Sequence, residues 1–348
     1  MDNVIDIAGR LIGKDYLPFV IAEIGINHEG DMDKAIRMVD DAKAAGCECV
    51  KFQCHVIEDE MVPAAKSVIP GNTTENIWDI MARCALTEKE DIRLKKYVES
   101  KNMIYLSTPF SRAASIRLEK MGVAAYKIGS GECNNYPLIE HIASYGKPVI
   151  LSTGMNDVSS IKPAVGILRK SRIPYALMHC TSIYPTPYSK VRLGALTILQ
   201  KTFSDAVVGL SDHSMGIYTC LASVVLGASI LEKHFTSDIS WPGPDVPISM
   251  DPTDLRNLVE GARAIHQALG GNKAILPEEK PAIDFAYATV VSIRNIVKGE
   301  SLTRENIWVK RPGTGRLLAK DFSRLLGKKV KRNIAANQHI QPEDVIGL

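Results

Sequence analysis

No stretch of this chain approaches the roughly 18 uninterrupted apolar residues of a membrane-spanning helix, so no bilayer crossing and no membrane partner are expected. A CxxC pair is also missing. The 7 cysteines are odd in number, and most lie inside apolar runs. Cys47, Cys49, Cys54, Cys84, Cys133, Cys180 and Cys220 therefore read as reduced, buried thiols of a cytoplasmic protein, not as a disulfide framework or zinc site. The opening MDNVIDIAGR lacks a basic segment followed by an apolar core, so no secretory signal is expected. A Walker A loop is absent. Gly129 and Gly131 do not complete a GxGxxG loop, which argues against a nicotinamide enzyme, and no GxSxG elbow appears.

What is present is a globular composition: 45% hydrophobic, 23% charged, and a net charge of only +3. A disordered chain would be poorer in apolar residues and more strongly charged. At 348 residues the chain is longer than the ~250–300 at which a single core stops growing, so one large and one small domain are expected.

Eight short apolar runs recur, each with a polar tip followed by a helical pattern: 19–25, 48–54, 103–109, 124–131, 148–154, 175–181, 206–212 and 229–235. Runs without alternation suit parallel strands covered on both faces. Residues 33–46 repeat apolar positions at helical spacing and stop at Gly46, and Thr87 with Glu90 forms a capping box before 88–100. Eight such units in about 250 residues predict a (β/α)8 TIM barrel, with a doubly wound open sheet as the competitor. The strand tips are evenly spaced except between the second and third, where residues 55–81 predict inserted loop and helix at the top of the barrel.

Around 270–284 two glycines and two prolines break the pattern. The expected division is a catalytic barrel over 1–271, a linker over 272–284 and a small β-rich domain over 285–348, with strand-like pieces YATVVSI, WVKR and KKVKRNI. That tail holds 12 Lys and Arg against 5 Asp and Glu, a net of +7, which leaves −4 for the other 284 residues. A basic tail and an acidic barrel would help two subunits associate and steer an anionic substrate.

In barrels, chemistry sits at the C-terminal ends of strands. Here those ends carry Glu23, Lys51, Gln53, Ser107, Thr108, Lys127, Ser130, Glu132, Ser152, Thr153, Ser211, Asp212, His213, Glu232 and His234. Lysines with hydroxyls and glycine-adjacent amides suit a ligand bearing both phosphate and carboxylate; the competing reading is a set of solvated loop residues. His213 and His234 follow neighbouring strands and could share one divalent metal, with water and substrate completing its coordination. A structural role is the competing reading for each histidine, and spacing alone leaves His28, His55 and His179 open as well.

At these residues the sequence resembles the sialic acid (N-acetylneuraminate) synthase family. The matching stretches are AEIGINHEGD, KFQCHVIEDEM, STPFSRAA, YKIGSGECNNYPL, ILSTGMN, HCTSIYPTP, GLSDHS, EKHFT, GPD and VKRPGTG. They run nearly end to end, and the tail resembles the antifreeze-like (SAF, β-clip) domain of that family. The resemblance implies condensation of phosphoenolpyruvate with N-acetylmannosamine, with phosphate leaving by C–O cleavage. It also implies a divalent metal, Mn2+ first with Mg2+ or Co2+ as alternatives, and a homodimer that swaps its tails. Carried over by motif, His213 and His234 would hold the metal and Glu23 would transfer a proton. Lys51, Thr108, Lys127, Ser130, Ser152, Ser182 and Ser211 would hold phosphoenolpyruvate. Gln53, Tyr184, Asp245, Phe285 and Arg311 would contact the sugar, Arg311 from the partner's tail.

Two departures bear on the sugar. Ser182 stands where the N-acetylneuraminate synthases usually have Asn, and Phe52 where they usually have His after the strand lysine. Synthases of legionaminic or pseudaminic type often read KFQ and CTS there and would take a diacetamido-deoxy-hexose; GECNNYPL and IYPTP favour the sialic acid reading. Two other classes compete: a metal-dependent aldolase acting on pyruvate, and a binding role for the tail toward carbohydrate, ice or nucleic acid. The tail's basic character permits the last, but it has no nucleic-acid motif and no interleaved aromatic platform, so no nucleic-acid partner is expected.

Overall fold

The computed structural model describes residues 3–348. It divides into two compact units, one ending at Leu269 and one spanning Gly270–Leu348. The first opens with a short antiparallel hairpin, β1 (Ile5–Ile7) and β2 (Arg10–Ile12). Eight parallel strands follow: β3 (Phe19–Gly25), β4 (Cys49–Cys54), β5 (Ile104–Pro109), β6 (Tyr126–Ile128), β7 (Val149–Ser152), β8 (Tyr175–Cys180), β9 (Val207–Asp212) and β10 (Ile230–His234). They pair in the order β5-β4-β3-β10-β9-β8-β7-β6, and the end strands β5 and β6 lie side by side. The sheet thus rolls into a nearly closed barrel. All eight strands fall within the apolar runs of the sequence.

Strand parity separates the two layers of the core. Val50, Phe52, Tyr105, Tyr126, Leu151, Leu177, Leu210 and Leu231 point outward and pack against the helices. Their neighbours Ile21, Cys49, Leu106, Ala125, Ile150, Met178 and Ile230 point inward and fill the lower barrel, where Ile5, Ile7 and Ile12 of the hairpin join them. The hairpin plugs this end, a feature its three-residue strands were too short to announce. Continuing the inward parity up each strand gives Glu23, Lys51, Thr108, Lys127, Ser152, Ser211 and Glu232, so the barrel interior turns from apolar to polar along its axis.

The helices start where side chains can cap them. Asp31 accepts from the Asp33 and Lys34 amides ahead of helix Met32–Ala44, and Thr87 and Glu90 form the reciprocal box ahead of Glu88–Ser100. The insertion after β4 folds as helix Ile57–Glu60, a 3-10 turn at Pro63–Ser67 and helix Ile77–Cys84.

In the second unit, part of the stretch read as linker is the helix Lys280–Ala286. Beyond it, β11 (Thr289–Ser292) and β12 (Ile307–Lys310) pair antiparallel over a core of Val290, Ile307, Leu317, Leu325, Val330 and Ile340. KKVKRNI does not form the strand expected of it. It contributes isolated bridges, Lys329 to Ser301, Val330 to Val345 and Ile334 to Ile296. Lys329, Lys331 and Arg332 stay at the surface while Val330 and Ile334 are buried, and the backbone touches three different segments in place of one long neighbour.

Candidate active site

The inward residues at the strand ends line a cavity of about 370 Å³. Glu23, Lys51, Gln53, Thr108, Lys127, Ser130, Ser152, Ser182, Tyr184, Ser211, His213 and His234 all border it, as do Glu232 and Cys180. A second cavity of about 260 Å³ shares Gln53, Asn72, Tyr184 and His234 with it and adds Asp245 and an apolar wall of Ile26, Ile77, Ile80 and Met81. Of the fifteen residues to which the resemblance gives a role, thirteen lie in the barrel unit and all thirteen border the two cavities. Phe285 and Arg311 lie in the second unit, where the guanidinium sits 5.7 Å from the Phe285 ring centre.

Phe52 stands apart from them within the barrel. It is fully buried on the outward face of β4 and stacks on Tyr105 with ring centres 5.6 Å apart. Its parity is opposite to that of Lys51 and Gln53, so it does not border the cavity, and any effect on the sugar would be indirect. Ser182 does border the cavity and remains informative. Histidines 28 and 179 find backbone partners: the Gly30 amide donates to His28 Nδ1 at 3.0 Å, and His179 Nε2 donates to the Val191 carbonyl at 2.6 Å.

Four buried charges form the floor. Lys51 Nζ lies 2.6 Å from Glu23 Oε2 and 3.8 Å from Glu232 Oε1; Lys127 Nζ donates to Glu232 Oε1 at 2.7 Å. Ser211 Oγ donates to the same Glu232 oxygen at 3.0 Å, and Lys51 donates to Thr108 Oγ1 at 3.3 Å. The environments of the two acids differ. Burial raises Glu23, and Glu232 adds to the rise, so Lys51 does not bring it back to its ordinary value. Burial also pushes Glu232 upward, but Lys127 and Lys51 overcome it and hold the carboxyl down to about 2. The two acids of the floor are thus pushed in opposite directions, the pattern by which paired carboxyls divide acid–base work. Glu232 was visible among the strand-end acids, but only its parity and its bond to Lys127 show that it belongs to the site.

Local backbone makes room for this cluster. Gly25 has φ +55°, and a Cβ there would sit 3.2 Å from Glu23 Oε1 and 3.3 Å from Gln53 Nε2. At Gly154 a Cβ would fall 2.5 Å from Ser182 Oγ and 2.7 Å from Ser130 Oγ, while its amide donates to Ser130 Oγ at 3.0 Å. Both glycines let polar groups converge at distances a side chain would forbid.

His213 and His234 face each other with ring centres 5.5 Å apart, and Tyr184 leans on His213 at 4.1 Å. His213 Nδ1 donates to the Thr181 carbonyl at 2.9 Å, which orients the ring. Burial disfavours its charged form, but Cys180, with Sγ 3.7 Å away, outweighs this and raises it. Burial, reinforced by His213, holds His234 well below its ordinary value, so that ring is neutral. Its buried Nδ1 has no hydrogen-bond partner, and Glu232 Oε2 and Ser152 Oγ are likewise buried and unpaired. Such orphaned atoms are costly unless a ligand completes them. Two imidazoles with an unused nitrogen fit a divalent ion whose remaining positions come from water or substrate. No group of three or more His, Cys, Asp or Glu among the described residues could hold a metal. Asp245 lies 3.9 Å from His234 Nδ1, and burial raises it to about 6 against the pull of His213. Among the described residues no helix is long and apolar enough to cross a membrane.

Comparison with known proteins supplies the family. Residues 38–274 match the NeuB family, and residues 287–346 match the SAF domain. The N,N'-diacetyllegionaminic acid synthase of Legionella pneumophila is 34% identical over 93% of both chains. The N-acetylneuraminate-9-phosphate synthase of Homo sapiens is 32% identical over 96% of this chain and 94% of its own. Among solved structures, the N-acetylneuraminic acid (sialic acid) synthetase of Leptospira borgpetersenii, in complex with citrate, superposes with a TM-score of 0.74 at 33% identity, over 81% of this chain and 96% of that one. The chain belongs to the NeuB family of sialic and related nonulosonic acid synthases and carries a SAF domain after its barrel.

Proposed function

We propose that the chain condenses phosphoenolpyruvate with N-acetylmannosamine to give N-acetylneuraminate and phosphate. The observation that carries this reading is the buried Lys51–Glu23–Glu232–Lys127 quartet, ringed by hydroxyls and set beside two facing imidazoles. Lys51 and Lys127, with Thr108, Ser130, Ser152, Ser182 and Ser211, bind the phosphate and carboxylate of phosphoenolpyruvate. The acceptor aldehyde lies against Gln53, Tyr184 and Asp245. Carbon 3 of phosphoenolpyruvate attacks the aldehyde carbon, water adds at carbon 2, and phosphate leaves with its bridging oxygen. Glu23, whose carboxyl is raised by burial, moves the proton at the reacting oxygens. His213 and His234 would hold a divalent ion, Mn2+ or Co2+ in preference to Mg2+ because the ligands are imidazoles, which when bound supplies positive charge to the aldehyde oxygen. That charge matters because two lysines against two glutamates leave the floor of the site near neutral. The tail-swapped homodimer that the resemblance implies is part of the same proposal.

A second acceptor has a specific observation in its favour. The wall of Ile26, Ile77, Ile80 and Met81 suits the methyl and acetyl groups of a diacetamido-deoxy-hexose, and no Lys or Arg borders that cavity among the described residues. The Legionella relative is named for such a product. Purified protein given phosphoenolpyruvate, Mn2+ and each sugar in turn decides the matter through phosphate release and keto-acid formation. Turnover of N-acetylmannosamine in preference to the diacetamido sugar supports the first reading; the reverse preference replaces it. Inertness toward both refutes the synthase assignment.

A further inference from the structure

We propose that His55 and Glu60 are positioning residues that hold the Gln53 carboxamide with its NH2 group turned toward Glu23. The inference rests on the proposed role of Glu23 and Gln53 at the acceptor. A continuous chain of contacts leads from the site into the insertion after β4. Gln53 Nε2 donates to Glu23 Oε1 at 3.4 Å, His55 Nε2 meets Gln53 Oε1 at 3.0 Å, and His55 Nδ1 meets Glu60 Oε2 at 2.8 Å.

The chemistry of the ring gives this chain a direction. Both ring nitrogens of His55 face oxygen atoms, the Gln53 carboxamide oxygen at Nε2 and the Glu60 carboxylate at Nδ1, and neither oxygen can donate to the ring unless it is itself protonated. Donation from Nε2 fixes Gln53 with its oxygen toward His55 and its NH2 toward Glu23. Without that donor Nε2 becomes an acceptor that draws the NH2 group toward His55 in competition with Glu23, and the flipped amide would set its oxygen against the Glu23 carboxylate. The scaffold holding the ring is rigid. His55 is 4% exposed and stacks on Phe110 with ring centres 4.7 Å apart and planes 10° from parallel. Glu60 ends helix Ile57–Glu60, which is tied to the following barrel unit by the Ala113 amide donating to Asp59 Oδ2 at 2.6 Å. Neither His55 nor Glu60 borders either cavity, so both act through Gln53 and not on the substrate.

The test is a double-mutant cycle on the full-length protein with its preferred sugar. His55→Phe keeps the stacking on Phe110 and deletes both donors. It is expected to lower kcat/KM for the sugar by about 10- to 100-fold, the effect of losing a charge-assisted hydrogen bond, with KM for phosphoenolpyruvate unchanged. Combined with Gln53→Ala, it should cost no more than Gln53→Ala alone, because the two act as one unit. Glu60→Gln, which exchanges one oxygen for an amide, repeats the cycle without a change in size should His55→Phe fold poorly. Wild-type kcat/KM in folded Glu60→Gln and His55→Phe, or losses that multiply with Gln53→Ala, would overturn the proposal. An equal rise in KM for phosphoenolpyruvate would do the same, since it would mark a general disturbance of the site. Inactivity of the wild type with both sugars would instead overturn the functional reading itself, and this inference with it.

Discussion

Replacing Glu232 by Gln separates the stability of the site from its function, because the carboxylate neutralises two lysines that we assign to an anionic substrate. The side chain is 5% exposed, and its carboxyl is held down from 4.5 to about 2. At about 1.4 kcal/mol per unit, its ionised form gains about 3 kcal/mol from the folded site. That agrees with the roughly 3–5 kcal/mol lost when one partner of a buried ion pair is removed. Glu232→Gln should therefore weaken the ligand-free barrel by about 3 kcal/mol in urea unfolding followed by tryptophan fluorescence. Since the folded carboxyl is depressed, the difference from wild type is complete above pH 4.5 and fades as pH falls toward 2. Phosphoenolpyruvate should have the opposite effect. With Lys51 and Lys127 less neutralised, the variant binds the anion more tightly, and a given excess of ligand raises its unfolding midpoint more than that of wild type. A variant as stable as wild type, with the same ligand-induced shift, would refute the idea that Glu232 is the internal counter-ion of this pocket.

Lys127→Met should raise KM for phosphoenolpyruvate in steady-state assays, because Lys127 is buried and directed at the cavity; unchanged turnover at every phosphoenolpyruvate concentration would show that the anion sits elsewhere. His213→Ala and His234→Ala should each abolish the metal-dependent part of the activity, and titration calorimetry with Mn2+ should show no specific binding in either variant. Burial raises Glu132 to about 7, with Glu60 adding to the effect. Its folded pKa lies above the unfolded value, so the protein loses stability as pH rises through that window. Glu132→Gln should accordingly be more stable than wild type at pH 8, by at most about 3 kcal/mol because the side chain keeps some contact with water, and should match it near pH 4 in urea unfolding.

The barrel was legible because its strands are buried on both faces, which leaves continuous apolar runs at regular spacing. The candidate site was legible for a related reason: the polar residues that close these runs come together at one end of the barrel. What the runs conceal is parity. A strand covered on both sides shows no alternation, so Lys51, which reaches the cavity, and Phe52, which stacks on Tyr105 behind the sheet, look equivalent in sequence. For the same reason Glu232 stood as one strand-end acid among several, since its partner Lys127 is 105 residues away. Asp212, also at a strand end, turns outward and pairs with Lys233 at 3.0 Å beside Ser214 and Thr219. The hairpin plug and the isolated bridges that stand in for a strand at KKVKRNI escaped detection because strands of three residues or single bridges leave no periodicity to read.

We propose that this pocket expels phosphate from phosphoenolpyruvate while joining it to a sugar aldehyde. It is tested most directly with phosphoenolpyruvate carrying 18O in the bridging position, turned over with Mn2+ and the preferred sugar. Mass spectrometry of the released phosphate should find the label there, with none in the keto acid, since the C–O bond breaks. Label retained in the keto acid, or product formed from pyruvate with no phosphate released, would contradict the account.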